Sequence, residues 1–96
     1  MTGRFIVIEG PDGTGKTTQA KRLADALAGA GQRVIQVREP GGCPSAERIR
    51  VLLVEGEPGD LLNWTEALLM NAARHELVER VIRPALEAGQ WVICDR

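Results

Sequence analysis

The feature that most constrains the fold is a glycine-rich loop between an apolar run and an amphipathic segment. Residues 10–17 read GPDGTGKT and match the pattern GxxxxGK[ST]. The apolar run FIVI at 5–8 precedes the loop and predicts a short buried strand. The segment after it, predicted as a helix over 15–30, has apolar residues at i, i+3, i+4 and i+7: Ala20, Leu23, Ala24 and Leu27. The chain therefore predicts a strand, loop and helix unit of the phosphate-binding type.

The residue types in this loop suit the phosphates of a nucleoside triphosphate. Glycines let backbone N–H groups turn inward, and Lys16 is placed to bridge the β- and γ-phosphates. The Thr17 hydroxyl is a candidate ligand for Mg²⁺, and the helix N-terminus favours the anion. The predicted ATP-phosphate residues are Gly10, Pro11, Asp12, Gly13, Thr14, Gly15, Lys16, Thr17 and Thr18. The motif indicates the phosphate donor and leaves the reaction open, since ATPases, GTPases and kinases share it.

Two more apolar runs predict further strands. They are VIQV at 34–37 and WVIC at 91–94, and helical patterns separate them. The alternation predicts an α/β fold, a three-layer parallel sheet of the P-loop NTPase type with flanking helices and right-handed crossovers.

Helix boundaries follow from local signals. A short helix is predicted over 45–53 with Ser45 as a candidate N-cap. A longer one is predicted over 64–81, because Asn63 and Glu66 have the spacing of a capping box. Pro84 should interrupt or restart that helix.

The length of the chain predicts part of a larger domain. Three strands with their connections make up about half of a doubly wound nucleotide-binding domain. The first strand would lack a neighbour on one side, and natural proteins avoid open apolar edges. We therefore expect residues 1–96 to be the N-terminal part of one domain whose lid and C-terminal part lie outside this chain.

Composition limits the classes of partner and location. A formal net charge of −1 argues against a broad nucleic-acid-binding surface, and no apolar run is long enough to span a membrane. The two cysteines, Cys43 and Cys94, match no zinc spacing and predict reduced thiols. No signal peptide is apparent, so the cytoplasm is the expected location.

Several charged residues follow the predicted strands, where ligands bind in open α/β sheets. Asp95 there is a candidate carboxylate partner for Mg²⁺ or an ordinary helix cap, and Arg96 is a phosphate contact or a solvated side chain. The segment 38–42, REPGG, reads as a substrate-positioning loop or as a turn with a chance ion pair. Arg74 either donates to a planar ligand or snorkels from an apolar stripe, and its neighbour His75 is predicted to lie on the surface.

Taken together, these segments resemble the first half of bacterial thymidylate kinases. The resemblance is carried by FIVIEGPDGTGKTTQ, REPGG, ALLMNAARHELVERVIRPAL and WVICDR, in this order. It implies transfer of the γ-phosphoryl group of ATP to dTMP, with Mg²⁺, giving dTDP and ADP. It also implies a homodimer. A family departure is Met70, which stands where a phenylalanine usually stacks on the base.

The resemblance also implies roles for individual residues. Asp12 would lie near the acceptor sugar and the metal, and Glu39 at the reaction centre. Arg50 and Arg96 would hold the acceptor phosphate. The remaining implied roles are catalysis by Lys16, Asp12, Glu39 and Arg96, metal binding by Thr17 and Asp95, and contact with the acceptor base by Met70 and Arg74.

Other functions remain open from the residues alone. A P-loop kinase for another nucleotide or small acceptor has the same donor loop, and so does a nucleotide-binding ATPase that has no acceptor. The implied lid lies beyond Arg96, so residues 1–96 are expected to be inactive alone.

Overall fold

The protein is described by a computed structural model that covers residues 3–10 and 15–96. The central feature is a three-stranded sheet with helices on both faces. In chain order the elements are β1 (Phe5–Ile8), α1 (Lys16–Gly29), β2 (Val34–Arg38), α2 (Pro44–Val54), α3 (Asn63–Leu77), a π-helical turn (Val78–Ile82), α4 (Arg83–Glu87) and β3 (Trp91–Asp95). No helix among these residues is long and apolar enough to cross a bilayer.

The sheet is parallel and has the order β1-β3-β2, which confirms the predicted α/β class. Ile8 and Arg38 both pair with Asp95, so all three strands end at the same edge. The residues Val92, Ile93 and Cys94 of the middle strand are fully buried. The outer strand β1 is less buried than predicted, with Phe5 42% exposed, because it pairs with β3 on one side only within the described residues.

Each face of the sheet has its own apolar core. Ala20 and Ala24 of α1 pack with Ile93 on one face, with Leu23 and Leu27 beside them, as the helical spacing predicted. The opposite face buries Val92 against residues of the helices that precede β3: Leu77, Ile82 and Ala85. Val92 and Ile93 point to opposite faces because successive strand residues alternate. The sheet is therefore the middle layer, with a layer of helices packed on each face.

The predicted cap of α2 is wrong. The helix begins at Pro44 with Cys43 as its N-cap, and Ser45 lies inside the first turn. Proline is favoured in that position because its missing N–H would have no helical partner. The Ser45 hydroxyl instead donates to Glu76 Oε1 at 2.6 Å, which ties α2 to α3.

The predicted capping box of α3 is also wrong. Asn63 is the first helical residue, Leu62 takes the flanking position, and no side chain caps the end. The helix ends at Leu77 rather than near residue 81, and the π-helical turn follows it. Pro84 lies in the first turn of α4, as expected for a restart. The wider π turn just before it accommodates a proline that would clash with a regular helical turn.

Candidate active site

The carboxyl ends of the three strands bring charged residues into one cleft. Asp95 ends β3 and Arg96 follows it, while Glu39 follows β2 directly. Between these residues and α1 lies a cavity of about 330 Å³. Its lining residues are Lys16, Thr17, Arg38, Glu39, Pro40, Arg50, Val54, Asp95 and Arg96. Most of them are residues that the sequence had singled out, and the shared strand register explains why they meet.

On the α1 side of the cleft, the loop lysine and threonine contact the strand-end carboxylate. Lys16 Nζ lies 3.5 Å from Asp95 Oδ1 and donates to the backbone oxygen of Arg96. Thr17 Oγ1 donates to Asp95 Oδ2 at 3.1 Å. Asp95 Oδ1 is buried and accepts no hydrogen bond from the part of the chain that the structure describes. A hydroxyl beside a carboxylate is a donor set that suits a hard divalent cation.

The other side of the cleft is organised around Glu39, whose side chain is only 5% exposed. Arg74 Nε donates to Glu39 Oε1 at 2.6 Å, and Arg96 Nε donates to Oε2 at 2.7 Å. A second nitrogen of Arg96, Nη1, lies 3.0 Å from Glu9 Oε1. One carboxylate therefore joins an arginine of α3 to the arginine that follows β3.

The surroundings of Glu39 keep it ionised. Burial by itself raises the pKa of this carboxyl, but the hydrogen bonds from Arg74 and Arg96 outweigh that effect and lower the pKa below its ordinary value. Both oxygens are occupied by charged donors, so Glu39 is poorly suited to accept a proton at neutral pH. Its geometry suits the orientation of two guanidinium groups.

The segment after Glu39 is held against α2 and α3. Arg50 Nη1 donates to the backbone oxygen of Pro40 at 3.0 Å, and Gly42 N–H donates to Glu47 Oε1 at 3.0 Å. Gly42 has φ +96°, and a Cβ there would lie 2.6 Å from Leu77 Cδ1. Any other residue would be strained at this φ and would have to push the Leu77 side chain aside, so glycine is favoured here. These contacts fix the segment beside the cleft, and its role in positioning a substrate stays a prediction.

Some predicted residues lie apart from the cleft or outside the described part of the chain. The structure does not describe four of them: Pro11, Asp12, Gly13 and Thr14. Met70 is 36% exposed, stands one helical turn before Arg74 and is not among the residues that line the cleft. Thr18 is exposed in the first turn of α1. His75 is exposed, as predicted.

Two contacts of the site were not predicted from the sequence. Glu9 pairs with Arg96, and the buried Cys94 thiol lies 3.4 Å from Glu39 Oε2. Glu9 directly follows β1, so the rule that ligands bind at strand ends would have found it. Cys94 carried no such signal, because a cysteine within an apolar strand looks like an ordinary core residue.

A larger cavity of about 630 Å³ adjoins the cleft but lacks most of the charged residues that line the cleft. It shares Thr17, Arg38 and Asp95 with the cleft, and its other walls include the apolar Ala20 and Ile93. We place the candidate active site in the smaller cleft because Lys16, Glu39, Arg50 and Arg96 line only that one.

Comparison with known proteins gives a consistent result. The family model described as thymidylate kinase matches residues 8–96. The thymidylate kinases of Magnetococcus marinus and Rhizorhabdus wittichii are 54% and 56% identical over 96 residues, covering 100% of this chain and 46% of each relative. The crystal structure of thymidylate kinase from Ehrlichia chaffeensis superposes with a TM-score of 0.86 at 39% identity, covering 100% of this chain and 54% of that one. The chain thus spans about half the length of the relatives it matches, and it belongs to the thymidylate kinase family.

Proposed function

We propose that the complete gene product carrying this chain transfers the γ-phosphoryl group of ATP to dTMP, giving dTDP and ADP. The observation that carries this proposal is the Glu39 carboxylate, which holds Arg74 and Arg96 beside the cleft that Lys16 lines. A phosphate-binding lysine that lines one cleft with Arg50 and Arg96 suits a reaction between two phosphorylated ligands.

The donor half of the site is the glycine-rich loop with the start of α1. Lys16 would neutralise the β- and γ-phosphates of ATP, and residues 10–18 would supply the surrounding N–H and hydroxyl groups. Thr17 and Asp95 would hold Mg²⁺. The Thr17 hydroxyl lies 3.1 Å from Asp95 Oδ2, and the second carboxylate oxygen of Asp95 is buried beside it, which fits such an ion. When bound, the ion supplies further positive charge at the phosphates.

The acceptor half is the arginine side of the cleft. Arg96 and Arg50 would bind the phosphate of dTMP, since both line the cleft and both carry several N–H donors. Arg74 would hydrogen-bond the thymine, and Met70, one turn earlier on α3, would pack against the ring. Asp12 would face the acceptor sugar.

Catalysis at this site requires alignment and charge neutralisation more than proton transfer. The attacking oxygen belongs to a phosphate, so the reaction needs no strong base. Glu39 would act at the reaction centre by keeping the arginines in place. Lys16 and Arg96 would stabilise charge on the transferred group, and Asp12 would help to position the acceptor.

We further propose that residues 1–96 form the N-terminal part of one kinase domain and do not turn over alone. The 46% coverage of the relatives supports this, because the remaining half has room for a lid and the other base contacts. A natural product with a mass near 10.4 kDa, or ADP release by residues 1–96 with dTMP, would contradict it.

A homodimer in the cytoplasm is part of the same proposal. Leu62, Trp64 and Leu68, at and near the start of α3, are 79%, 80% and 64% exposed, which supports association through this helix. Sedimentation of the complete gene product would test the dimer.

The experiment for the reaction is an acceptor comparison. ADP release by the complete gene product is measured with dTMP, dUMP, dGMP and CMP in turn. We expect a clear preference for dTMP. Equal rates would indicate a kinase for another acceptor, and ADP release that does not depend on any monophosphate would indicate an ATPase.

A further inference from the structure

Cys94 is a buried residue that has no role in the proposed reaction. Cys94 lies in the middle strand, paired with Val7 on one side and Val37 on the other, and it is fully buried. Such a position is ordinary for a core residue. Its contact with a charged carboxylate is less ordinary, because the other fully buried large residues, Leu77, Val92 and Ile93, are purely apolar.

The direction of the thiol explains the contact. Cys94 and Val92 are two residues apart on one strand, so their side chains point to the same face of the sheet. That face packs against Leu77 at the end of α3, the helix that also supplies Arg74. The thiol therefore approaches Glu39 from the sheet, and the arginines approach it from other directions.

The Glu39 carboxylate receives three donors in this arrangement. Oε1 accepts from Arg74, while Oε2 accepts from Arg96 and lies 3.4 Å from the Cys94 sulfur. A thiol is a weak donor, but an ionised acceptor strengthens any hydrogen bond that it receives. Since Glu39 is ionised and cannot donate, the thiol hydrogen must point toward the carboxylate for this contact to be favourable.

We propose that Cys94 is a positioning residue, whose S–H group orients the Glu39 carboxylate and through it sets the guanidinium groups of Arg74 and Arg96. The consequence for acceptor binding rests on the proposed function. Without the thiol, Oε2 loses one of its two donors, and the carboxylate plane is then set by Arg74 and Arg96 alone, so both guanidinium groups gain freedom to shift with it. The ATP side depends on Lys16 and Thr17, which contact Asp95 and the backbone oxygen of Arg96, so we expect it to change less.

The first test is steady-state kinetics of the complete gene product with Cys94→Ala and Cys94→Ser. We expect Cys94→Ala to raise KM for dTMP about five-fold, as for loss of one modest hydrogen bond, with a smaller change in KM for ATP. Cys94→Ser keeps a donor and should restore KM for dTMP to within about two-fold of the wild type. The matched control is Cys43→Ala, since Cys43 is also buried and contacts Ser45 rather than the cleft.

Two kinetic results would overturn the proposal. One is an unchanged KM for dTMP in Cys94→Ala. The other is equal impairment of Cys94→Ala and Cys94→Ser with KM for ATP raised alongside, which is the behaviour of a packing residue.

A second measurement does not depend on turnover. The Nε–H resonances of Arg74 and Arg96 are followed by ¹⁵N–¹H NMR without nucleotide and assigned with the variants Arg74→Lys and Arg96→Lys. We expect Cys94→Ala to shift both resonances, Cys94→Ser to return them toward the wild type, and Cys43→Ala to leave them unchanged. Unchanged resonances in Cys94→Ala would contradict the proposal. A wild type that fails to phosphorylate dTMP but shows these shifts would disprove the proposed function alone.

Discussion

The two ends of the sheet are made by the same three strands and yet have different chemistry. At the carboxyl end, Glu39, Arg96 and Asp95 form ion pairs around a cleft. At the amino end, Trp91 donates to Gln32 at 3.1 Å, and Arg33 donates to the backbone oxygen of Ala88. Those contacts tie the segment before β2 to the first residue of β3 and to the end of α4, with no carboxylate involved.

The difference follows from the parallel arrangement. Each helix that follows a strand begins near the carboxyl end, so its unpaired N–H groups and the positive end of its dipole face that edge. The C-termini of the helices lie at the amino end. One example is the turn after α4, where Gly89 has φ +81°. Direction of the strands alone therefore makes one edge suitable for phosphates. Substitutions at the two edges test this contrast.

The largest effect is expected at the lysine of the loop. Lys16→Ala in the complete gene product should lower kcat by about 10³-fold, because it removes a fixed cation from the transferred phosphoryl group. Lys21→Ala is the control, since Lys21 is exposed and pairs only one turn away with Asp25 at 3.7 Å. Stopped-flow or coupled ADP assays would measure both. Comparable rates for the two variants would contradict the assignment.

A direct comparison of the two edges uses one arginine from each. Arg96→Ala should lower kcat/KM for dTMP about 100-fold, since it removes a charged donor from the acceptor and frees Glu39. Arg33→Ala, at the amino end, should change it less than about two-fold, as for surface substitutions. If both variants lose activity equally, the carboxyl edge has no special role.

A smaller effect is expected at the position beside Arg74. Met70→Phe should lower KM for dTMP about three-fold, because an aromatic ring adds offset stacking that a thioether cannot provide. Asn71→Phe adds a ring to the same helix at an exposed residue, and it should leave KM for dTMP unchanged. Titration with dTMP measures the difference, and an unchanged KM in Met70→Phe would place the base elsewhere.

The smallest expected effect is on stability in acid. The pKa of Glu39 lies below its ordinary 4.5 in the folded protein, so its ionised form stabilises the fold fully above about that pH. That contribution is lost as the pH falls through the lowered pKa. The difference in unfolding free energy between wild type and Glu39→Gln should therefore shrink from pH 6 to pH 3 in urea titrations. A constant difference would show that the ion pairs do not persist in solution.

Much of the fold was predictable because its signals are local. The strand at 5–8, the helix that follows residue 15, and the spacing of Ala20 with Ala24 each depend on neighbouring residues. The helix caps were not predictable in the same way. Ser45 has the chemistry of an N-cap, but Pro44 and a tertiary contact with Glu76 decided its place.

The site was predictable in part for the same reason. Asp95, Arg96 and Glu39 end or follow strands, and parallel strands must end at one edge, so their proximity could be inferred. Glu9 satisfied the same rule and was missed. The contact of Cys94 with Glu39 had no sequence signal, because it depends on which face of β3 meets α3.

The alternation of strands and helices, the match to GxxxxGK[ST] and the edge of the sheet that carries charge can all be read from the sequence, since they follow from spacing and strand direction. The sequence gives no sign that Arg74 and Arg96, separated from Glu39 by 35 and 57 positions, share its carboxylate, and the fold was needed to show it. Register and helix packing bring these distant residues together, and no local preference of the chain encodes the geometry of such a contact.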